Sequence, residues 1–343
     1  MRRAADDATV SPLPRSPGGD RHVHTAATDP EHESRQHGRC RGAALAAVVW
    51  AAFVVAALVM LPTLPLVTWG AAVPLVAAGL LVVTAPAARG LPWLRQRADA
   101  VDLLVVAGLY LAVVGLYRLA FVVFTTDNVL GLLLSFAGGL VLGVVGPVVY
   151  TTWIRHRPLR TLGLGVHNLR STLALAVLFG GVQFVIMFWG YTLPAPVDWV
   201  PLLVMSLTVA LFEAVFFRGL VQTRLEASFG IPVGVVGAAV LYALYHVGYG
   251  MAGSEMAFLF GLGVVYAVAY RLAGNILVLW PLLTPLGAFF NNLQAGDIVL
   301  PWVSSAGFAD VLAAMAATIW LAARHERRAA TTPAAQRDPR RVT

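Results

Sequence analysis

Within residues 211–250, LFEAVFFRGLVQTRLEASFGIPVGVVGAAVLYALYHVGYG, one carboxylate and one imidazole lie inside otherwise apolar runs. Glu213 follows PLLVMSLTVALF and precedes AVFF, and His246 sits in AAVLYALYHVG. An ionisable side chain in hydrocarbon is costly and is kept mainly where it lines a cavity or is paired, so each is a functional candidate. Between them, Gly230-Ile231-Pro232 reads as one helix ending at Gly and the next starting at Pro. Glu213 precedes Gly230 by 17 residues and His246 follows it by 16. At about 1.5 Å per residue each stands roughly 25 Å from the turn. The pair is therefore expected at one height on antiparallel neighbours, where a carboxylate beside an imidazole is suited to taking a proton from water.

Asn291, with Asn292 beside it, ends the apolar run LVLWPLLTPLGAFFNN and lies 17 residues beyond Gly274, the expected turn before that run. The same arithmetic places it roughly 25 Å up its helix, so Glu213, His246 and Asn291 are expected to meet in one site. Arg118 and Asp310 also fall within apolar segments. Two readings stand for them: an opposite pair that neutralises itself, or Arg118 paired with Glu213. Tyr242, Tyr245 and Tyr249 recur at helical spacing around His246, which reads as packing and hydroxyl partners for the site.

The elements that must position these residues are membrane helices. Of the 343 residues, 59% are hydrophobic and 12% charged, and the mean hydropathy is +0.76. This composition points to an all-α, polytopic transmembrane bundle in a cell membrane. Ten apolar segments have spanning length: 43–61, 67–88, 101–124, 129–153, 172–194, 199–217 extending to about 229, 232–249, 256–271, 275–293 and 299–323. Arginine recurs in alternate connections, at Arg89, Arg95 and Arg97, at Arg155, Arg157, Arg160 and Arg170, at Arg218 and Arg224, at Arg271, and at Arg324, Arg327 and Arg328. The connections PTLP, TTDN, PAPVD, MAGSE and QAGD carry none. By the positive-inside rule both termini are expected in the cytoplasm.

Residues 1–42 mix charge, Pro, Gly and His without an apolar period and are expected to form a disordered tail, as are 324–343. His22, His24, His32 and His37 belong to that solvated tail. The formal charge of +7 is read as an orientation signal and as contact with membrane lipid, not as nucleic-acid binding. The single Cys40 excludes an intrachain disulfide and a Cys-rich metal site. No internal repeat is visible, which weighs against a repeat-built transporter. Gly139 and Gly143 in FAGGLVLGVVG fit close helix packing.

EAVFFRG at 213–219 resembles the EExxFRG motif of the CPBP family, the CAAX-protease and bacteriocin-processing intramembrane endopeptidases also called Abi. YALYH at 242–246 resembles the family's FxxxH, and GAFFN at 287–291 stands where its HxxxN falls. The similarity covers about 198–295. It implies a membrane-embedded hydrolase in which Glu213 is the general base, His246 contacts water or a metal, Asn291 orients or donates to the oxyanion, and Arg218 matches the motif arginine. Tyr242 and Asn292 join as supporting residues. Two positions depart from the pattern: Ala214 stands for the second Glu, and Gly287 for the third-motif His. Ala214 is four residues before Arg218, so the missing Glu would suit an ion pair, and Arg218 is expected to reach for headgroups instead. Without a His at 287, only Glu213 and His246 remain as strong zinc ligands, below the three of a usual catalytic site, so no cofactor is expected. Gly287→His is expected to restore a contact on the face of Asn291, provided Phe289 and Phe290 leave it room.

The expected activity is hydrolysis of a peptide bond in a membrane-associated peptide or protein by Glu213-activated water. Two other readings stand: a family member that has lost catalysis and binds peptides or partner proteins in the same cavity, and a small proton-coupled transporter using Glu213 and His246 as a relay.

Overall fold

The computed structural model describes residues 99–165, 168–188, 190–295 and 300–331, together with scattered positions between 48 and 80. By internal contacts the chain divides into Met1–Ala51 and Ala52–Thr343. In the first unit, residues 48, 49 and 51 are helical. The expected tail at 1–42 lies outside the described residues, as do most of the segments 43–61 and 67–88.

The described residues of the second unit are helices joined by turns, with no strand among them. Its helices are α1 Ala100–Val123, α2 Val129–Ile154, α3 Leu169–Phe188, α4 Pro196–Phe229, α5 Ile231–Tyr249, α6 Gly253–Ala273, α7 Leu283–Ala295 and α8 Trp302–Thr331. Six of them, all but α3 and α7, are long and apolar enough to cross a membrane. Large apolar side chains such as Leu104, Leu111, Leu133, Val177 and Val303 are exposed on the outer surfaces, as a bilayer solvent permits.

Local chemistry sets the ends. Asp99 caps α1 by accepting from the amides of Val101 and Asp102, and Asn128 caps α2 by accepting from Leu130 at 2.9 Å. Gly230, at φ 94°, closes α4, and Pro232 opens α5, which is the turn expected between Glu213 and His246. Gly274, at φ 63°, closes α6.

The centre of the unit is α4, whose apolar window is 67% buried against 17–50% for the other five spanning helices. It packs on α2, α5, α7 and α8. Its middle, Ala214–Gln222, is a π-helix, the wider turn that recurs at functional sites. The close packing expected at Gly143 is present: a Cβ there would meet the Phe212 ring at 2.1 Å, so α2 approaches α4 only without a side chain.

Three arginines converge at one end of α1, α2 and α4. Asp102, 3% exposed, accepts from Tyr150 and, at 2.7 Å, from Arg157, with Arg155 at 3.2 Å and Arg224 at 3.7 Å.

Several expectations change. The segment 275–293 is not one helix: a 3-10 turn at Ile276–Val278 is followed by turn structure and then by α7, because Pro281 and Pro285 withhold amide hydrogens from a continuous ladder. With 13 residues, α7 is too short to span the roughly 30 Å hydrocarbon core. At the other end, α8 continues to Thr331, so 324–331 is helix where a disordered tail was expected. Arg, Glu and Ala favour helix there, and Glu326 Oε1 accepts from the Leu159 amide at 2.6 Å. Arg118 and Asp310 do not pair: both are exposed, and Arg118 donates to the Val247 carbonyl at 3.2 Å.

Candidate active site

Glu213 ends the regular α part of α4 and is 5% exposed. Both carboxylate oxygens accept from tyrosines of α5. Tyr245 Oη donates to Oε1, and Tyr242 Oη donates to Oε2 at 3.3 Å. Tyr242 and Tyr245 therefore act as hydroxyl partners, and they tie the α4–α5 hairpin together at the carboxylate.

His246, 6% exposed, lies one turn on, where α5 tightens into a 3-10 turn at His246–Tyr249. Its Nδ1 stands 2.9 Å from the Tyr242 carbonyl oxygen. A carbonyl only accepts, so Nδ1 carries the proton and Nε2 of the neutral ring keeps its lone pair. The ring packs on Tyr245 with centroids 4.1 Å apart. Tyr245 thus touches both Glu213 and His246.

Glu213, Ala214, Arg218, Tyr242, Tyr266, Leu279 and Thr284 line one cleft between α4, α5, α6 and the start of α7. It is tight, admitting no sphere the size of water. Arg218 is 2% exposed and does not reach the headgroups. Its guanidinium sits over the Tyr242 ring, 5.2 Å from the centroid, and neither terminal nitrogen has a hydrogen-bond partner among the described residues.

Asn291 is not brought to this cleft. It is exposed on α7, because the break before Leu283 cancels the register assumed from Gly274. Asn292 is half-buried and donates to the Ala288 carbonyl at 2.8 Å. The position of the missing third-motif His is occupied from elsewhere: a Cβ on Gly287 would lie 2.6 Å from Tyr266 Oη and 2.9 Å from Gln183 Nε2. Tyr266, Gln183 and Thr284 were not anticipated as site residues. Tyr266 sits in the apolar run GVVYAVAY and Thr284 beside prolines, and no spacing in the sequence links either to Glu213.

Among the described residues no group of three His, Cys, Asp or Glu side chains converges on a point. Glu213 lines the cleft and His246 does not, so a metal on the carboxylate would lack the imidazole that the motif pattern supplies.

The geometry defines a polytopic helical membrane protein with a buried, tyrosine-held carboxylate at its centre. Residues 194–282 match the family described as type II CAAX prenyl endopeptidase Rce1-like, which supports the resemblance to the CPBP/CAAX proteases. The match contains Glu213, Arg218, Tyr242 and His246 and ends before Gly287 and Asn291. Comparison with curated proteins and with solved structures gives no significant match.

Proposed function

We propose that the protein is an intramembrane endopeptidase that hydrolyses a peptide bond of a membrane-associated substrate with water activated by Glu213. The observation that carries this reading is a carboxylate buried at the centre of the helix bundle, held by two phenols and facing a cleft with unused hydroxyl and guanidinium donors. Glu213 takes a proton from water as the oxygen adds to the scissile carbonyl. It returns the proton to the departing amine when the tetrahedral intermediate collapses. Tyr242 and Tyr245 fix the carboxylate in place, and Thr284 Oγ1, buried without a partner among the described residues, is a donor for the carbonyl oxygen. His246 holds a lone pair on Nε2 beside this machinery, able to accept a hydrogen bond from water.

The membrane topology belongs to the same proposal: a cell-membrane protein that crosses ten times with both termini in the cytoplasm, the ninth crossing made by the interrupted segment 275–293 as a whole and not by α7 alone. The meeting of Arg155, Arg157 and Arg224 at one end of the helices supports a common cytoplasmic side.

One observation favours a second reading, a scaffold that binds peptide without cleaving it. Tyr266 and Gln183 fill the place where the family pattern has its second histidine. The deciding experiment is cleavage of a membrane-tethered peptide reporter by the purified protein in nanodiscs. Cleavage by wild type that is lost in Glu213→Gln supports the peptidase. Peptide binding without cleavage supports the scaffold, and proton flux coupled to a solute in liposomes would overturn both.

A further inference from the structure

Arg218 is the strongest unexplained group in the molecule. It is 2% exposed, and Nη1 and Nη2 are both without a hydrogen-bond partner among the described residues. Leaving a buried cation so is costly unless an anion completes the site at some stage of the protein's work. No carboxylate bonds to it in this arrangement. Position 214, four residues earlier, carries Ala where a carboxylate would pair with it. Glu213 lies on the same cleft, but its oxygens accept from Tyr245 and Tyr242, and no Arg218 nitrogen forms an ion pair with it within 4.0 Å. The wide π-helical turn at Ala214–Gln222 is what lets residues 213 and 218 line one cleft from a single helix.

We propose that Arg218 is a catalytic residue, the charged donor that, alongside Thr284 Oγ1, binds the tetrahedral oxyanion formed when Glu213-activated water adds to the substrate carbonyl. The proposal rests on the peptidase reading of the same site. The charge balance favours it. Before reaction the cleft holds one negative charge on Glu213 and one positive charge on Arg218. When water adds, its proton goes to Glu213, and the carbonyl π pair moves to oxygen. The negative charge thus passes from Glu213 to an oxyanion beside Arg218, and the net charge of the buried site stays constant. On collapse the oxygen pair reforms the carbonyl, the C–N bond breaks, and the amine nitrogen takes the proton from Glu213. A planar fork of buried, unpartnered N–H donors on the cleft wall is worth most at that moment, because the donors need no reorganisation. Ala214 is then a requirement of the arrangement: a Glu at that position would hold Arg218 in the ground state.

The test has a kinetic arm and a binding arm. In nanodiscs, Arg218→Gln is expected to lower kcat by about 10²- to 10³-fold, the usual cost of one oxyanion donor, with KM changed less than threefold. Arg218→Lys is expected to recover part of the loss. Ala214→Glu is expected to lower kcat as well. Unchanged kcat in Arg218→Gln, or a rise in Ala214→Glu, overturns the proposal while leaving the peptidase reading intact. The binding arm needs no turnover: a peptide phosphonate, a stable tetrahedral anion, is compared with the parent peptide by its shift of the unfolding temperature. Tighter binding of the phosphonate to wild type, lost in Arg218→Gln and Ala214→Glu, supports the anion site even if no cleavage is found, in which case only the peptidase reading fails. Equal binding of phosphonate and peptide to wild type overturns it. Should Arg218→Gln not fold, Ala214→Glu carries both arms.

Discussion

The Tyr266 hydroxyl stands 2.6 Å from where a Cβ on Gly287 would lie. No real Cβ sits that close to an oxygen, so a side chain at 287 requires the Tyr266 ring, 2% exposed, to shift. Gln183 Nε2, at 2.9 Å from the same point, crowds it from α3.

Gly287→His is therefore expected to lower stability and not to raise activity, contrary to what the motif spacing suggests. Overpacking of this kind costs about 1–3 kcal/mol. Tyr266→Phe removes the clashing oxygen, so combining it with Gly287→Ala should cost less than the sum of the two single changes. Thermal unfolding of the four proteins in detergent measures the cycle; strict additivity would show that the two positions do not compete.

Tyr245→Phe and Tyr242→Phe each strip a donor from the buried carboxylate of Glu213. A buried acceptor without its partner costs about 1–3 kcal/mol, and the longer 3.3 Å contact of Tyr242 makes it the milder loss. Chemical unfolding should rank Tyr245→Phe below Tyr242→Phe in stability. Introducing Glu213→Gln should shrink the difference, since a neutral amide binds the phenols less strongly.

Asp102 shares Arg155 and Arg157 with Asp99 and also faces Arg224, which is 4% exposed. Removing one partner of a buried pair leaves the other charge uncompensated, at about 3–5 kcal/mol. Asp102→Ala should lower the unfolding midpoint accordingly, and Arg224→Met in the same chain should restore much of it. A double variant as unstable as the single one would count against Arg224 as the buried charge left behind.

Gly143→Ala places a methyl 2.1 Å from the Phe212 ring and is expected to push α2 off α4. Phe212→Leu should relieve part of the cost. Because Phe212 adjoins Glu213, the peptidase reading also expects Gly143→Ala to reduce cleavage, and a reporter assay on both variants checks the link between packing and site.

Cleavage is expected to survive strong chelation, since Glu213 and His246 fall short of the three protein ligands a catalytic zinc usually has. Loss of activity in a chelator, restored by added zinc and abolished in His246→Ala, would establish a metal enzyme instead.

Several features of this protein were decided by the sequence alone. Apolar runs of spanning length dictate helices, because a backbone in hydrocarbon must satisfy its own hydrogen bonds. The Gly230–Pro232 punctuation sets Glu213 and His246 on neighbouring helices, and the family motifs around them follow from local order along the chain. The tertiary structure decided who meets the carboxylate. Periodicity describes one helix at a time, whereas Tyr266 and Thr284 come from helices whose rotation depends on packing against α4. Arg218 looks in the sequence like a residue within reach of the headgroups, and the π-helical turn in a long enclosed helix buries it instead. Asn291 looked level with Glu213 only under the assumption of an unbroken helix. The interruption between Val278 and Leu283 changes both rise and rotation, and a change of about 100° per residue suffices to carry a side chain from the cleft to the outer face.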